Sequence, residues 1–449
     1  MGKYFGTDGF RGEANKNLTF EHAVKIGRFL GWYYGANMGK KAKIVIGKDT
    51  RRSSYMFEYA LCTGLMASGA DAYIMHVTTT PSVAYITRID DFDCGIMISA
   101  SHNPYYDNGI KLVNSGGYKM EEEVLEQIED FIDGKVEVPL ATGDAIGCTV
   151  DYMQGRNRYI AHLIASANFS LQGFKVGLDC ANGAASSVAK PVFDALGADV
   201  YVINNVPNGF NINVNAGSTH IENLQSFVVR NGLDVGFAYD GDADRCIAVD
   251  ENGHVVDGDL ILYVCGRYMA KYGRLVKDTV VPTVMTNFGL IKALEEVGIQ
   301  AVATDVGDKY VYACMRENGY TLGGEQSGHI IFGDLETTGD GIMTSLRVME
   351  AVRVEKETLS TLTRPVKLYP QRLVNVPVID KHAAMQAPEV LAAVDKANEA
   401  LGGIGRVFVR ASGTEELVRV LSEAPDEETC AKASAPVLEA LKKIEIDES

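Results

Sequence analysis

The stretch Gly95-Ile96-Met97-Ile98-Ser99-Ala100-Ser101-His102-Asn103-Pro104 decides how the whole chain is read. Gly95 to Ile98 is short, apolar and followed by turn formers, which predicts a buried strand that opens into a loop at its C-terminal end. In open α/β sheets, ligands bind at that end of the strands. The loop supplies two hydroxyls, an imidazole and an amide. Taken alone, Ser, His and Asn before a proline also describe an ordinary hydrogen-bonded turn, so the weight of the motif rests on its surroundings.

Working outward, Phe20 to Tyr34 has helical periodicity behind Thr19 as N-cap. Lys43 to Gly47 is an apolar strand ending in Lys48-Asp49-Thr50-Arg51-Arg52, with Ser53 as cap of the next helix, and Asp71 to Val77 is another strand. Strands alternating with helices indicate βαβ units and a mostly parallel sheet. The same grammar returns at Lys175 to Asp179 before Ala181-Asn182-Gly183-Ala184, and at Thr279 to Val284 before Thr286-Asn287-Phe288-Gly289. Three such openings, each about a domain apart, predict three related α/β domains in tandem. A chain of 449 residues fits that count. Boundaries are expected near 150, where a Gly-, Val- and Pro-containing stretch has no period, near 252, and at Arg364-Pro365, after which a smaller C-terminal domain begins. The domains are then 1–150, 151–252, 253–366 and 367–449.

Charge narrows the function. Forty-two basic residues against 59 acidic ones give a net charge of -17, which argues against nonspecific nucleic-acid or anionic-membrane binding. An anionic substrate must be held by local Arg, Lys or backbone N–H groups. The eight cysteines show no C-x-x-C pair and no zinc spacing, as in a reducing compartment. No apolar run is long enough to span a bilayer, and Met1-Gly2-Lys3-Tyr4-Phe5-Gly6 lacks the hydroxyl that myristoylation wants at position 6. A cytoplasmic enzyme or binding protein is expected.

Further segments carry chemistry. Phe5-Gly6-Thr7-Asp8-Gly9-Phe10-Arg11-Gly12 presents backbone N–H groups beside the Arg11 guanidinium, suited to a phosphate. Tyr105 to Lys111 is a hairpin-like turn with Lys111 on the returning strand, and Glu121 to Asp133 an acidic helix with a solvated face. Asp240-Gly241-Asp242-Ala243-Asp244-Arg245 places three carboxylates at alternate positions. They repel one another unless a divalent cation sits among them, and the loop must curl to bring them together. Asp240, Asp242, Asp244 and Glu251 also match positions of a calcium loop, but Arg245 stands where that loop needs glycine and Cys246 to Val249 reads as a strand. An Arg beside a metal suits a shared phosphate. Thr304 to Tyr310 is a strand-to-helix loop carrying Gly307, Asp308 and Lys309, and Gly324-Glu325-Gln326-Ser327-Gly328-His329 gathers donors and acceptors suited to a polyol. Last, Arg410-Ala411-Ser412-Gly413-Thr414-Glu415, with Arg419 across the hairpin, forms an anion cradle.

In this order and spacing the motifs resemble the α-D-phosphohexomutase superfamily over essentially the whole chain. The serine loop Ser99 to Pro104, the metal loop Asp240 to Arg245, the sugar loop Gly324 to His329 and the phosphate loop Arg410 to Glu415 each fit. Gln326 and the Phe5 to Gly12 loop look most like the bacterial branch that acts on glucosamine phosphates; branches acting on mannose or glucose phosphates, the alternative, usually differ at 326. One departure is Glu416, where the family commonly has Pro.

The resemblance implies three similar α/β domains with mixed sheets and a smaller α+β C-terminal domain around a central cleft. It implies that Ser101, which spacing alone does not separate from Ser99, is carried as phosphoserine. Glucosamine 6-phosphate and glucosamine 1-phosphate would interconvert through a bound sugar bisphosphate, feeding UDP-N-acetylglucosamine and cell-wall synthesis. Catalytic candidates are then Ser101, His102, Lys111, Arg11 and Arg245; one Mg²⁺ per chain would sit on Asp240, Asp242, Asp244 and Ser101. Substrate contacts would come from Gly307, Asp308, Glu325, Ser327, His329, Arg410, Ser412, Gly413, Thr414 and Arg419. Lys111, as a general acid or base, needs a depressed pKa. The partner is a small hexosamine phosphate, with no nucleic acid and no membrane, and there is room for a homodimer.

Overall fold

The computed structural model describes residues 2–412 and 416–447. Strand Cys94–Ile98 lies inside a six-stranded mixed sheet, parallel to Lys43–Lys48 and antiparallel to Asp107–Asn114. All five of its residues are buried, as expected where both faces are covered. Alternation assigns the faces. Ile44, Ile46, Ile96 and Ile98 pack with Phe29, Leu61 and Leu65 of helices Phe20–Tyr34 and Arg52–Ala67. Val45 and Met97 point the other way, to Val83 and Ile86 of helix Thr80–Ile89.

The second sheet has five strands, with Val235–Tyr239 parallel to Lys175–Asp179 and antiparallel to Cys246–Asp250. That last pairing removes the calcium-loop alternative, since the residues after Asp244 form a strand. A third sheet of four strands carries Leu322–Gly324 and Ile330–Phe332, and a fourth of three strands carries Arg406–Ala411 and Leu417–Glu423. The architecture is three α/β layers in tandem followed by a smaller α+β domain.

The chain divides into two compact units. One comprises residues up to 285 with 299–364, and the other 286–298 with 365 onward. Helix Phe288–Glu296 therefore belongs to the second unit. There Asn287 Nδ2 donates to Tyr369 O and Tyr369 N–H donates to Asn287 Oδ1, each at 2.9 Å, and Phe288 N–H donates to Glu423.

Three local expectations change. Ser53 does not cap its helix, whose N-cap is Arg51; the Ser53 hydroxyl accepts from Asn108 instead. The strand expected over Thr279 to Val284 stops at Val281, because Pro282 has no N–H for a ladder. Helix Glu122–Ile132 is acidic, but Glu129 is not on a solvated face. It is 9% exposed and accepts from the backbone N–H groups of Lys3, Tyr4 and Phe5 at 2.7–2.8 Å. Glu129→Ala strands those donors and is expected to cost about 2–3 kcal/mol, read from urea unfolding.

Candidate active site

Ser101 and the aspartate loop meet where strands Cys94–Ile98 and Val235–Tyr239 end. Ser101 Oγ donates to Asp240 Oδ2 at 2.6 Å. The two serines now separate. Ser99 Oγ donates to Asp49 Oδ2 at 2.7 Å and accepts from the Ser101 N–H at 2.9 Å, so it faces the interior and supports the loop. Gly241 lies directly under this loop: a Cβ there would stand 2.4 Å from Ser101 O.

The loop curls at Ala243, whose φ is 57°. One oxygen from each of Asp240, Asp242 and Asp244 lies within 4.8 Å of the others. Oδ1 of Asp242 and Oδ1 of Asp244 are buried with no hydrogen-bond partner among the described residues. Buried carboxylate oxygens without donors fit a hard cation such as Mg²⁺, which prefers oxygen ligands. Thr80 also holds the loop: its hydroxyl donates to Asp242 Oδ2 and its N–H to Asp242 O.

Charges explain the titration of the neighbours. Lys111 Nζ stands 2.8 Å from Asp242, 3.1 Å from Asp244 and 3.2 Å from Asp8. Burial would lower its pKa, but those carboxylates raise it well above the ordinary lysine value. Without a cation the shift is thus upward, because three negative groups surround the ammonium, and the depressed pKa that acid or base work needs is one that a cation beside Asp242 and Asp244 would supply. For His102, burial and then Arg245 and Arg11 push the pKa down to about 4. It is neutral at pH 7, with Nδ1 at 3.2 Å from Ser101 Oγ and 3.2 Å from Arg245 Nη1. Arg11 pairs with Asp8 and lies beside Lys111 because its strand, Phe10–Glu13, runs along Asp107–Asn114.

On the third sheet, Glu325 Oε1 accepts from the Gly307 N–H at 3.1 Å. His329 is buried, 3.6 Å from Asp308 and 3.8 Å from Asp244. Lys119 joins Asp308 at 2.7 Å to Asp8 at 3.2 Å. Lys111, Lys119, Asp8, Asp308 and His329 border a cavity of about 410 Å³. Ser327 is exposed at the turn.

In the second unit, Arg410 and Arg419 stand opposite each other across the ladder. Each Nε is buried without a hydrogen-bond partner among the described residues. Like charges in register destabilise a sheet, which an anion between them would offset. Burial and Arg419 lower the pKa of Arg410. Arg419 Nη2 is 3.5 Å from Ser412 Oγ. Glu416 turns away from this pair, with its carboxylate 3.1 Å from Lys381 Nζ. Gly413, Thr414 and Glu415 lie outside the described residues.

Sequence reasoning passed over Asp8, Thr80, Lys119, Arg51 and Asn213 as partners of these loops. Thr80 and Asn213 gave no signal, since one is a helix start and the other a loop amide. The charged run Lys48 to Arg52 did give one, at the C-terminal end of a strand neighbouring Cys94–Ile98.

Comparison with known proteins adds the lineage. Phosphoglucomutase/phosphomannomutase α/β/α domains I, II and III match residues 2–138, 157–253 and 257–369, and the C-terminal domain of that family matches 373–440. The chain belongs to this family. Among its members, a phosphoglucosamine mutase of Lachnoclostridium phytofermentans is 60% identical over 444 residues, covering 99% of both chains. One of Lachnospira eligens is 61% identical, covering 98% of this chain and 99% of the relative. The fold also matches a phosphoglucomutase/phosphomannomutase family protein of Burkholderia thailandensis, with TM-score 0.80, 22% identity and coverage of 98% and 97%. It matches Aspergillus fumigatus N-acetylphosphoglucosamine mutase, solved with GlcNAc-6P and magnesium, with TM-score 0.69, 18% identity and coverage of 98% and 96%. No helix among the described residues is long and apolar enough to cross a membrane.

Proposed function

We infer that this chain is a phosphoglucosamine mutase, an isomerase that interconverts glucosamine 6-phosphate and glucosamine 1-phosphate through a phosphorylated Ser101. The observation that carries the chemistry is the Ser101 hydroxyl lying 2.6 Å from Asp240, inside a buried cluster of three carboxylates. The substrate is supported by 60–61% identity to phosphoglucosamine mutases over nearly the full length.

In the first half-reaction the phosphoryl group leaves Ser101 Oγ for the free hydroxyl of the bound hexosamine phosphate. The Oγ–P bond breaks, the sugar O–P bond forms, and the hydroxyl's proton ends on Ser101 Oγ. The bound sugar bisphosphate then turns end for end, and the reverse transfer from its other phosphate restores phosphoserine. Neutral His102, with Nδ1 at 3.2 Å from Oγ, is placed to pass the proton at the serine end. Lys111, beside Asp242 and Asp244, would take the proton of the attacking sugar hydroxyl in the first half-reaction and return it to the sugar oxygen in the second, a role that a cation sharing the charge of those carboxylates would open by lowering its pKa. One Mg²⁺ held by Asp240, Asp242 and Asp244 supplies, when bound, neutralisation of charge on the transferring group. Arg245 and Arg11 orient phosphate oxygens. Gly307, Asp308, Glu325, Ser327 and His329 bind the sugar; in the second unit Arg410, Ser412, Gly413, Thr414 and Arg419 are the residues for a phosphate. Eight unpaired cysteines support a cytoplasmic setting.

The test compares turnover of glucosamine 1-phosphate, glucose 1-phosphate and mannose 1-phosphate by one preparation with Mg²⁺ and a bisphosphate primer. The glucosamine substrate is expected to have the highest kcat/KM. A higher value for either of the others reassigns the substrate, and no turnover of any of them ends the reading.

A further inference from the structure

The serine loop is gripped from behind by two residues that the chemistry above leaves unused. Arg51 is fully buried and all five of its guanidinium N–H groups are committed. Nε donates to Asp49 Oδ2 at 2.8 Å, Nη2 to Ser101 O at 2.8 Å and to Asn103 O at 2.9 Å, and Nη1 to Asp107 O at 3.1 Å and to Pro104 O. Asn213 comes from the same domain as the aspartate loop. Its Nδ2 donates to the same two carbonyls, Ser101 O at 2.9 Å and Asn103 O at 3.1 Å. Each carbonyl thus has both acceptor positions filled, one from each residue.

The grip has a conformational purpose. Ser101 has φ of 53°, in the left-handed region that a side-chain-bearing residue adopts at a cost of about 1–2 kcal/mol. Its N–H is fixed by Ser99 Oγ, itself held by Asp49, while its C=O is fixed by Arg51 and Asn213. With both ends of the residue pinned, the Cα–Cβ bond has one direction left, and from there Oγ reaches Asp240 Oδ2 at 2.6 Å. If the peptide relaxed to an ordinary φ, Oγ would swing away from the aspartates. None of these bonds touches Oγ, so the grip is the same whether or not that oxygen carries a phosphoryl group.

We propose that Arg51 and Asn213 are positioning residues for phosphoryl transfer, which hold Ser101 in its left-handed conformation and lock its loop to the domain bearing Asp240. The proposal rests on the reading of Ser101 as phosphoryl carrier. Substitutions here therefore lower the rate of transfer to and from Ser101 while leaving the aspartate cluster and the sugar contacts intact.

Two variants test it. Asn213→Gly removes both amide donors, and glycine accepts the φ of 60° at position 213 without strain. Arg51→Lys keeps the charge beside Asp49 but replaces a five-donor fork with a point charge of three donors. In turnover of glucosamine 1-phosphate, Asn213→Gly is expected to lower kcat about tenfold and Arg51→Lys about a hundredfold, with KM within about twofold. The rise in Tm on adding Mg²⁺ should match wild type in both. If Arg51→Lys does not fold, Asn213→Gly decides alone. A folded Asn213→Gly protein with wild-type kcat overturns the proposal, and so does a fall in kcat that is matched by an equal loss of the Mg²⁺ shift. Absence of turnover in the wild type overturns the proposal together with the functional reading beneath it.

Discussion

Ser101→Ala is expected to carry no phosphoryl group by intact-mass analysis and to lose turnover by about 10⁴-fold or more. The size follows from the proposed role, in which Ser101 Oγ is the atom that bears the phosphoryl group between half-reactions and no neighbour replaces it. Ser99 is two residues away, but its hydroxyl is fully buried and donates to Asp49. His102 Nδ1 is shared between Ser101 and Arg245. The protein should still fold, because the loop is held through Ser101's backbone N–H and C=O. Alanine pays the same left-handed penalty as serine at φ 53°. A Ser101→Ala chain with normal turnover, or one that still gains a phosphoryl mass on treatment with a sugar bisphosphate, would remove Ser101 from the centre of the mechanism.

The contrast between Ser99 and Ser101 also marks what a sequence can convey. Alternation put both serines on one side of an extended segment, and it held as far as Ile98, where the strand ends. Beyond that, the left-handed turn at Ser101 separates the two hydroxyls, and a conformation imposed by Arg51 and Asn213 from distant positions leaves no local trace. The aspartate loop was legible for the opposite reason. Three like charges at alternate positions need a common physical cause wherever they occur, and Cys246 to Val249 announced the returning strand.

Glu129 was misread because helical periodicity reports the face of a helix, whereas its three donors come from Lys3, Tyr4 and Phe5, more than a hundred residues away. Lys111 is legible only in part, for a related reason. Its position on the returning strand was readable, but the sign of its pKa shift depends on Asp8, Asp242 and Asp244 converging on one ammonium. That convergence is a property of the assembled fold. In the C-terminal hairpin the paired Arg410 and Arg419 were legible, while the turn of Glu416 toward Lys381 was not.

Asp240→Asn is expected to separate stability from activity in opposite directions. Burial, followed by the nearby charges of Asp244 and Asp242, raises the pKa of Asp240 well above the ordinary carboxylate value, so its ionised form is costly in the metal-free fold. An acid whose pKa is higher folded than unfolded holds more protons in the native state, and its contribution to stability therefore falls as pH rises past the ordinary aspartate range. An amide of the same shape removes that cost: its oxygen can accept from the Arg245 N–H, which lies 3.2 Å from Asp240 Oδ1, while its NH2 donates to the Ser101 hydroxyl. Measured in EDTA at pH 7–8, the Tm of Asp240→Asn should exceed that of wild type, and its loss of stability with rising pH should be shallower. Adding Mg²⁺ reverses the order. Wild type gains about 2.7 kcal/mol at a hundredfold excess over Kd, whereas the variant, with one of three anionic ligands gone, gains little. Turnover should fall about a thousandfold or more, since in the proposed mechanism the cation and Ser101 share this residue. A variant that is less stable than wild type in EDTA, or that keeps the full Mg²⁺ shift, would mean that Asp240 is a structural carboxylate and that the cation is held elsewhere.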